Sequence, residues 1–277
     1  MTSLGIDFDE YFMVIAALDE NIKISLDYYS GCIEEKLKAD LVTIYGPIQY
    51  GLESRLNNAL SLNVQKKNHL AIVLDTDGGA AEVVERIVQI IRKFYQEITF
   101  IVPNKAMSAG TILVMSGDKI MMNYFSVLGP IDPQIFKDGK WVPALSYLEK
   151  YEEFVAKTKV PNCILSSAEL ILLQKFDLGE LHTFQQAKNL SIHLLKKWLS
   201  QYKFKDWDET ETSKKTVNYE MKEKRAEEIA EKLNDIKMWY SHARGIGMNV
   251  LRSELKLKID DFDDDLDGKY YIKNKLD

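Results

Sequence analysis

Hydrophobic residues along this chain recur with two different periods, and their alternation lays out most of the first half. "LVTIYG" from Leu41 and "HLAIVLD" from His69 to Asp75 are short apolar runs bounded by polar or turn residues, as in strands buried on both faces. Between them "YGLESRLNNALSL" takes helical spacing. From Ala80 to Tyr95, Val83, Val84, Ile87, Ile91 and Phe94 recur on one side of a helix while Glu82, Glu85, Arg86 and Arg92 take the other, so one stripe packs on a sheet. "ITFIV" from Ile98 is the next strand, a helix of small residues begins near Ser108, and "KIMMN" from Lys119 is a short strand before the turn-rich "SVLGPIDPQ". Strands alternating with helices predict an α/β layered core over residues 41–161. The preceding arm, residues 1–40, shows no clear period until a short polar helix at Gly31 to Lys38. Residues 162–277 turn mainly helical, with apolar positions at helical spacing in Ser166–Phe176, Phe184–Tyr202 and Lys214–Trp239, and "FKDWDETETSKK" reads as an exposed connection.

Composition narrows the class. With 277 residues, 46% of them hydrophobic, the chain can bury a substantial core as one large domain or as a main domain with an appendage. The longest early apolar run, Met13 to Leu18, is far shorter than a bilayer span and lacks the flanks of a signal peptide. The two cysteines, Cys32 and Cys163, have the spacing of neither a metal pair nor a disulfide framework. A cytoplasmic protein without an integral membrane segment is expected. A net charge of −6 and a pI near 5.4 argue against nucleic acid as a partner. "DDDLDG", with Asp263, Asp265, Asp267 and Gly268, fits the opening of a calcium loop, but Asn274 stands where a bidentate glutamate should close it. No GxxxxGK[ST] stretch is present to hold a nucleotide. The expectation is no metal and no cofactor.

Two places carry candidate chemistry. Ser108 lies where a strand hands over to a helix, an address that suits a nucleophile and equally an N-cap. In "VLDTDGG", Gly78 and Gly79 follow a buried strand directly, where the chain turns sharply and leaves backbone amides uncovered. If that loop lies beside Ser108, the amides of Gly79 and Ala109 can hold the oxyanion formed when the serine attacks a carbonyl. An ordinary tight turn uses the same two glycines.

"LDTDGG", an amphipathic helix and strand, "AMSAGT" and then "SVLGPIDPQ" resemble the core of the Clp protease and crotonase fold. More closely they resemble the serine dehydrogenase proteinase family, a relative of the signal peptide peptidase A group. The resemblance spans Leu41 to Gln134, with a weaker echo in "WYSHARGIGMNVLRSELKLKI". It implies a core of repeated ββα units with a mainly helical C-terminal extension, Ser108 as nucleophile, and an oxyanion hole around Gly78, Gly79 and Ala109. It also implies hydrolysis of peptides or unfolded polypeptide inside a homo-oligomer. A serine needs a base held by a third group. Where Clp proteases carry a histidine this chain has Asp132, and the family order Ser, Asp, His is laid on Ser108, Asp132 and His242. His242 sits in the loop "WYSHARGIG", whereas His182 and His193 fall within or next to helical patterns and His69 borders a lysine pair. The rival is a Ser-Lys dyad using Lys150 or Lys140. Two further functions stay open: a crotonase-like acyl-CoA enzyme whose amide loops hold a thioester enolate, and a catalytically idle oligomeric scaffold.

Overall fold

The apolar runs become a five-stranded sheet. A computed structural model of the chain describes residues 8–137, 139–161, 164–210 and 214–265. In chain order, helix α1 (Phe8–Leu37) leads into β1 (Asp40–Tyr45), α2 (Leu52–Leu62), β2 (His69–Asp75), α3 (Ala81–Phe94) and β3 (Glu97–Ile101). A short strand β4 (Lys105–Ala106), helix α4 (Ala109–Val114), β5 (Lys119–Met122) and β6 (Val127–Leu128) follow. A hairpin β7 (Gln134–Lys137) and β8 (Lys140–Pro143) precedes α5 (Ala144–Thr158), α6 (Ser167–Leu173), α7 (Leu178–Trp198) and α8 (Tyr219–Asn234). The last strands are β9 (Ile246–Gly247) and β10 (Asp260–Asp261).

The large sheet has the order β1-β2-β3-β5-β10 with all neighbours parallel. A second sheet, β4-β6-β9, is smaller, and its β4 and β6 are parallel while β6 and β9 are antiparallel. Parallel strands need both faces covered. On one face Val83, Val84, Ile87 and Ile91 of α3 join Leu194, Leu195, Trp198, Ile229 and Leu233 from α7 and α8 in the main core. On the other, Ile33 of α1 packs with Ala71, Ile101, Met121 and Phe262. The layered α/β architecture and the helical C-terminal region are those the sequence predicts.

Three local expectations need correction. The N-terminal arm holds one helix of 30 residues, not a short polar helix at 31–38, and Ile22, Ile24, Leu26 and Tyr28 on it are exposed. The segment Lys214–Trp239 is not one helix. Its helix starts at Tyr219, capped by Asn218, and breaks at Asp235, whose carboxylate caps a separate turn by accepting the amides of Lys237 and Met238. The β7–β8 hairpin and α5 lie within the core segment where the sequence reading named no element. Among the described residues no helix is long and apolar enough to cross a membrane, and no cluster of His, Cys, Asp or Glu is arranged to hold a metal. Cys163 and most of the candidate calcium loop, from Leu266 through Asn274, lie outside the described residues.

Candidate active site

Ser108 closes the path from β4 into α4 at φ 51° and ψ −116°. The amide of Gly110 bonds to the Met107 carbonyl at 2.7 Å, so Met107 to Gly110 form a β-turn with Ser108 at the first central position of the type II′ class. Glycine is the usual residue there, because a Cβ crowds the backbone at positive φ. The half-buried Ser108 hydroxyl makes no capping bond and none to any described residue. The cap alternative therefore fails on geometry. Neighbouring bonds hold the turn in place. The Met107 amide donates to the Thr76 carbonyl at 3.0 Å, and the buried Thr111 hydroxyl sits 2.8 Å from the Ala106 carbonyl and 2.9 Å from that of Gly129. Gly110 lets α4 lie against Thr76, since a Cβ there would come 2.5 Å from the Thr76 methyl.

The glycine loop packs directly on this turn. A Cβ at Gly78, where φ is +104°, would meet the Met107 carbonyl at 2.8 Å, the Ser108 Cβ at 2.9 Å and the Ala109 nitrogen at 3.3 Å. A Cβ at Gly79, where φ is +147°, would lie 1.9 Å from the Ile48 carbonyl oxygen. Both glycines are thus required for approach as well as for dihedral freedom. Ile48 donates to the Gly78 carbonyl at 2.8 Å and accepts from Ala80 at 2.9 Å, which is the pattern of a parallel bridge. In that pattern the Gly79 amide points away from Ile48. The Gly78 amide donates to the Thr76 hydroxyl at 3.0 Å, so the contribution of Gly78 is its missing side chain. The amides of Gly79 and Ala109 make no hydrogen bond among the described residues.

Asp132 and His242, 110 residues apart, meet. Asp132 is 2% exposed, and its Oδ1 lies 2.9 Å from His242 Nδ1. With Nδ1 carrying the proton toward the carboxylate, Nε2 is left to accept one. The register of the small sheet fixes where this pair sits. Ala106 of β4 pairs with Leu128 of β6, and Leu128 pairs with Ile246 of β9. Ser108 follows Ala106, Asp132 follows Leu128, and His242 precedes Ile246 on the antiparallel strand, so all three leave the sheet at the same end. Gly245 permits the approach of the histidine loop, since a Cβ there would fall 2.9 Å from a Val127 methyl.

The rivals are placed otherwise. Lys150 lies on α5 with 65% of its side chain exposed and pairs with Glu153 at 2.7 Å, and Lys140 is exposed on β8, so neither has the burial a lysine base requires. His69 opens β2, at the far end of the large sheet from the Gly78 loop. It bonds to the Leu37 carbonyl and the Thr99 hydroxyl, and burial pulls its pKa below the ordinary value. His182 and His193 are exposed on α7. The sequence reading missed Gln134, whose Nε2 donates to Asp132 Oδ2 at 2.6 Å. Its place two residues after the aspartate in "DPQ" was the available signal.

A sequence model of the family described as ClpP-like SDH-type serine proteinase matches residues 43–236. Two uncharacterized proteins of Methanocaldococcus jannaschii match shorter stretches. One is 38% identical over 80 residues, 29% of this chain and 26% of that protein, and the other 34% identical over 88 residues, 32% and 29% respectively. The matched stretch thus spans less than a third of either relative's length. Among solved structures, a mutant of the 1510-N membrane-bound stomatin-specific protease is similar with a TM-score of 0.46 and 15% identity over 79% of this chain and 77% of that one. Another mutant of it, in complex with a substrate peptide, has a TM-score of 0.34 and 20% identity over 52% and 77%.

Proposed function

We propose that this chain, which belongs to the family of ClpP-like SDH-type serine proteinases, hydrolyses peptide bonds with Ser108 as nucleophile, His242 as general base and Asp132 as its orienting partner. The observation that carries the reading is the Asp132–His242 hydrogen bond at the sheet end from which the Ser108 turn also emerges. His242 Nε2 takes the hydroxyl proton as Ser108 Oγ attacks the scissile carbonyl, and Asp132 stabilises the imidazolium that forms. The oxyanion is met by the amides of Gly79 and Ala109, aimed before the reaction begins. His242 then returns the proton to the leaving amine, and water, activated by the same base, hydrolyses the acyl-enzyme.

The substrate class in this reading is a peptide or an unfolded polypeptide segment, cut in the cytoplasm without nucleotide hydrolysis. The working form is a homo-oligomer, and the exposed Ile22, Ile24, Leu26 and Tyr28 on α1 supply apolar surface for such an assembly. An enolate-forming acyl-CoA enzyme has no need of an activated hydroxyl, so the strained turn at Ser108 favours the peptidase. Hydrolysis of a dye-quenched unfolded protein tests the proposal. Ser108→Ala is expected to abolish turnover while light scattering shows the assembly unchanged, and full turnover by that variant would refute it.

A further inference from the structure

We propose that Gln134 is a positioning residue of this site, holding the Asp132 carboxylate in the orientation in which it directs His242. The inference rests on the Ser108–His242–Asp132 reading. A carboxylate that is 2% exposed has lost its water and must find donors within the protein. Among the described residues Asp132 has two: His242 Nδ1 at 2.9 Å on Oδ1 and Gln134 Nε2 at 2.6 Å on Oδ2. With a donor on each oxygen the carboxylate plane cannot turn about Cβ–Cγ without breaking one of them. An amide also suits the task better than a cation. It anchors the carboxylate without cancelling the charge that stabilises the imidazolium.

Gln134 is itself held. It is the first residue of β7, opposite Pro143 of β8, and the carbonyl of the adjacent Pro133 accepts the Ala144 amide at 2.9 Å where α5 begins. Pro133 stiffens the link between the aspartate and the glutamine. On the other side, the Ile131 amide bonds to the Leu233 carbonyl at the end of α8 at 3.0 Å. The hairpin thereby gains a role in the chemistry although none of its side chains need touch the substrate.

The test is the rate at which a fluorophosphonate probe labels the full-length protein, separated into the saturating rate and the half-saturating probe concentration. Gln134→Met, which keeps volume but has no donor, should lower the saturating rate about tenfold or more, the factor expected for a hydrogen bond to a buried charge, with half-saturation unchanged. Gln134→Glu, of equal length, sets a carboxylate against a carboxylate and should lower the rate further. A purely structural role would appear as lost folded protein in urea unfolding, with the saturating rate of the remaining folded protein unchanged. In an Asp132→Asn background the effect of Gln134→Met should vanish, since the two act through one bond. Wild-type labelling by Gln134→Met, a Glu variant faster than the Met variant, or an undiminished effect in the Asp132→Asn background overturns the inference and leaves the triad reading standing. Wild-type labelling by Asp132→Asn overturns both.

Discussion

Replacing Ser108 by glycine separates strain from capping. At φ 51° and ψ −116° a residue with a Cβ carries a conformational cost of about 1–3 kcal/mol, which glycine does not. Glycine also gives the unfolded chain more freedom, a loss of about 0.4–1 kcal/mol. No capping bond is forfeited, because the hydroxyl makes none. The sum predicts that Ser108→Gly is more stable than the parent by about 1 kcal/mol, while Ser108→Ala, which keeps the Cβ and the strain, stays within about 0.5 kcal/mol. Both variants should be inactive. A capping serine predicts instead that both variants are weaker than the parent, alanine by about 1 kcal/mol and glycine by a few tenths. Urea unfolding at one fixed protomer concentration reads the difference as a shift of midpoint at constant slope. A glycine variant less stable than the parent, or an alanine variant weakened by a full kcal/mol, would refute the strain argument.

Other perturbations give distinct outcomes. Gly79→Ala forces a methyl to 1.9 Å from the Ile48 carbonyl and should displace the amide beside Ser108, lowering turnover about 10²-fold or more, as measured by initial rates on a quenched unfolded substrate. Lys150→Ala should leave those rates within twofold of the parent, because its exposed amine is paired with Glu153 on α5. Burial holds the Lys203 amine down to about 8 from 10.5, so below pH 8 both folded and unfolded chains are protonated and the penalty is complete. Between 8 and 10.5 the unfolded chain binds more protons, and this contribution to stability rises with pH. Lys203→Met should therefore be more stable than the parent at pH 7, with the gap in urea midpoint closing toward pH 10.5.

The layered core was legible because its strands are buried on both faces and its α3 helix on one, and both conditions write a period into the sequence. The two glycines and Ser108 were legible as a strand-to-helix turn chemistry. Their mutual contact was not, since it depends on Thr76 bonding to β4 across the chain. Asp132 and His242 could be paired only through the family resemblance, because the strands that bring them together, β6 and β9, are two residues each and too short for any periodicity. Gln134 was invisible for a related reason. Its meaning lies in a bond to a side chain, and only the hairpin that starts at it fixes the distance. The long α1 helix was missed because exposed apolar residues such as Ile24 and Tyr28 obey no burial pattern within one chain.

Activation of Ser108 by His242 can be read by labelling the protein with a fluorophosphonate and locating the adduct by peptide mass spectrometry. A single adduct on Ser108 is expected, absent from Ser108→Ala and slowed at least 10²-fold in His242→Ala. An adduct on another residue, or labelling of His242→Ala at the parent rate, would contradict it.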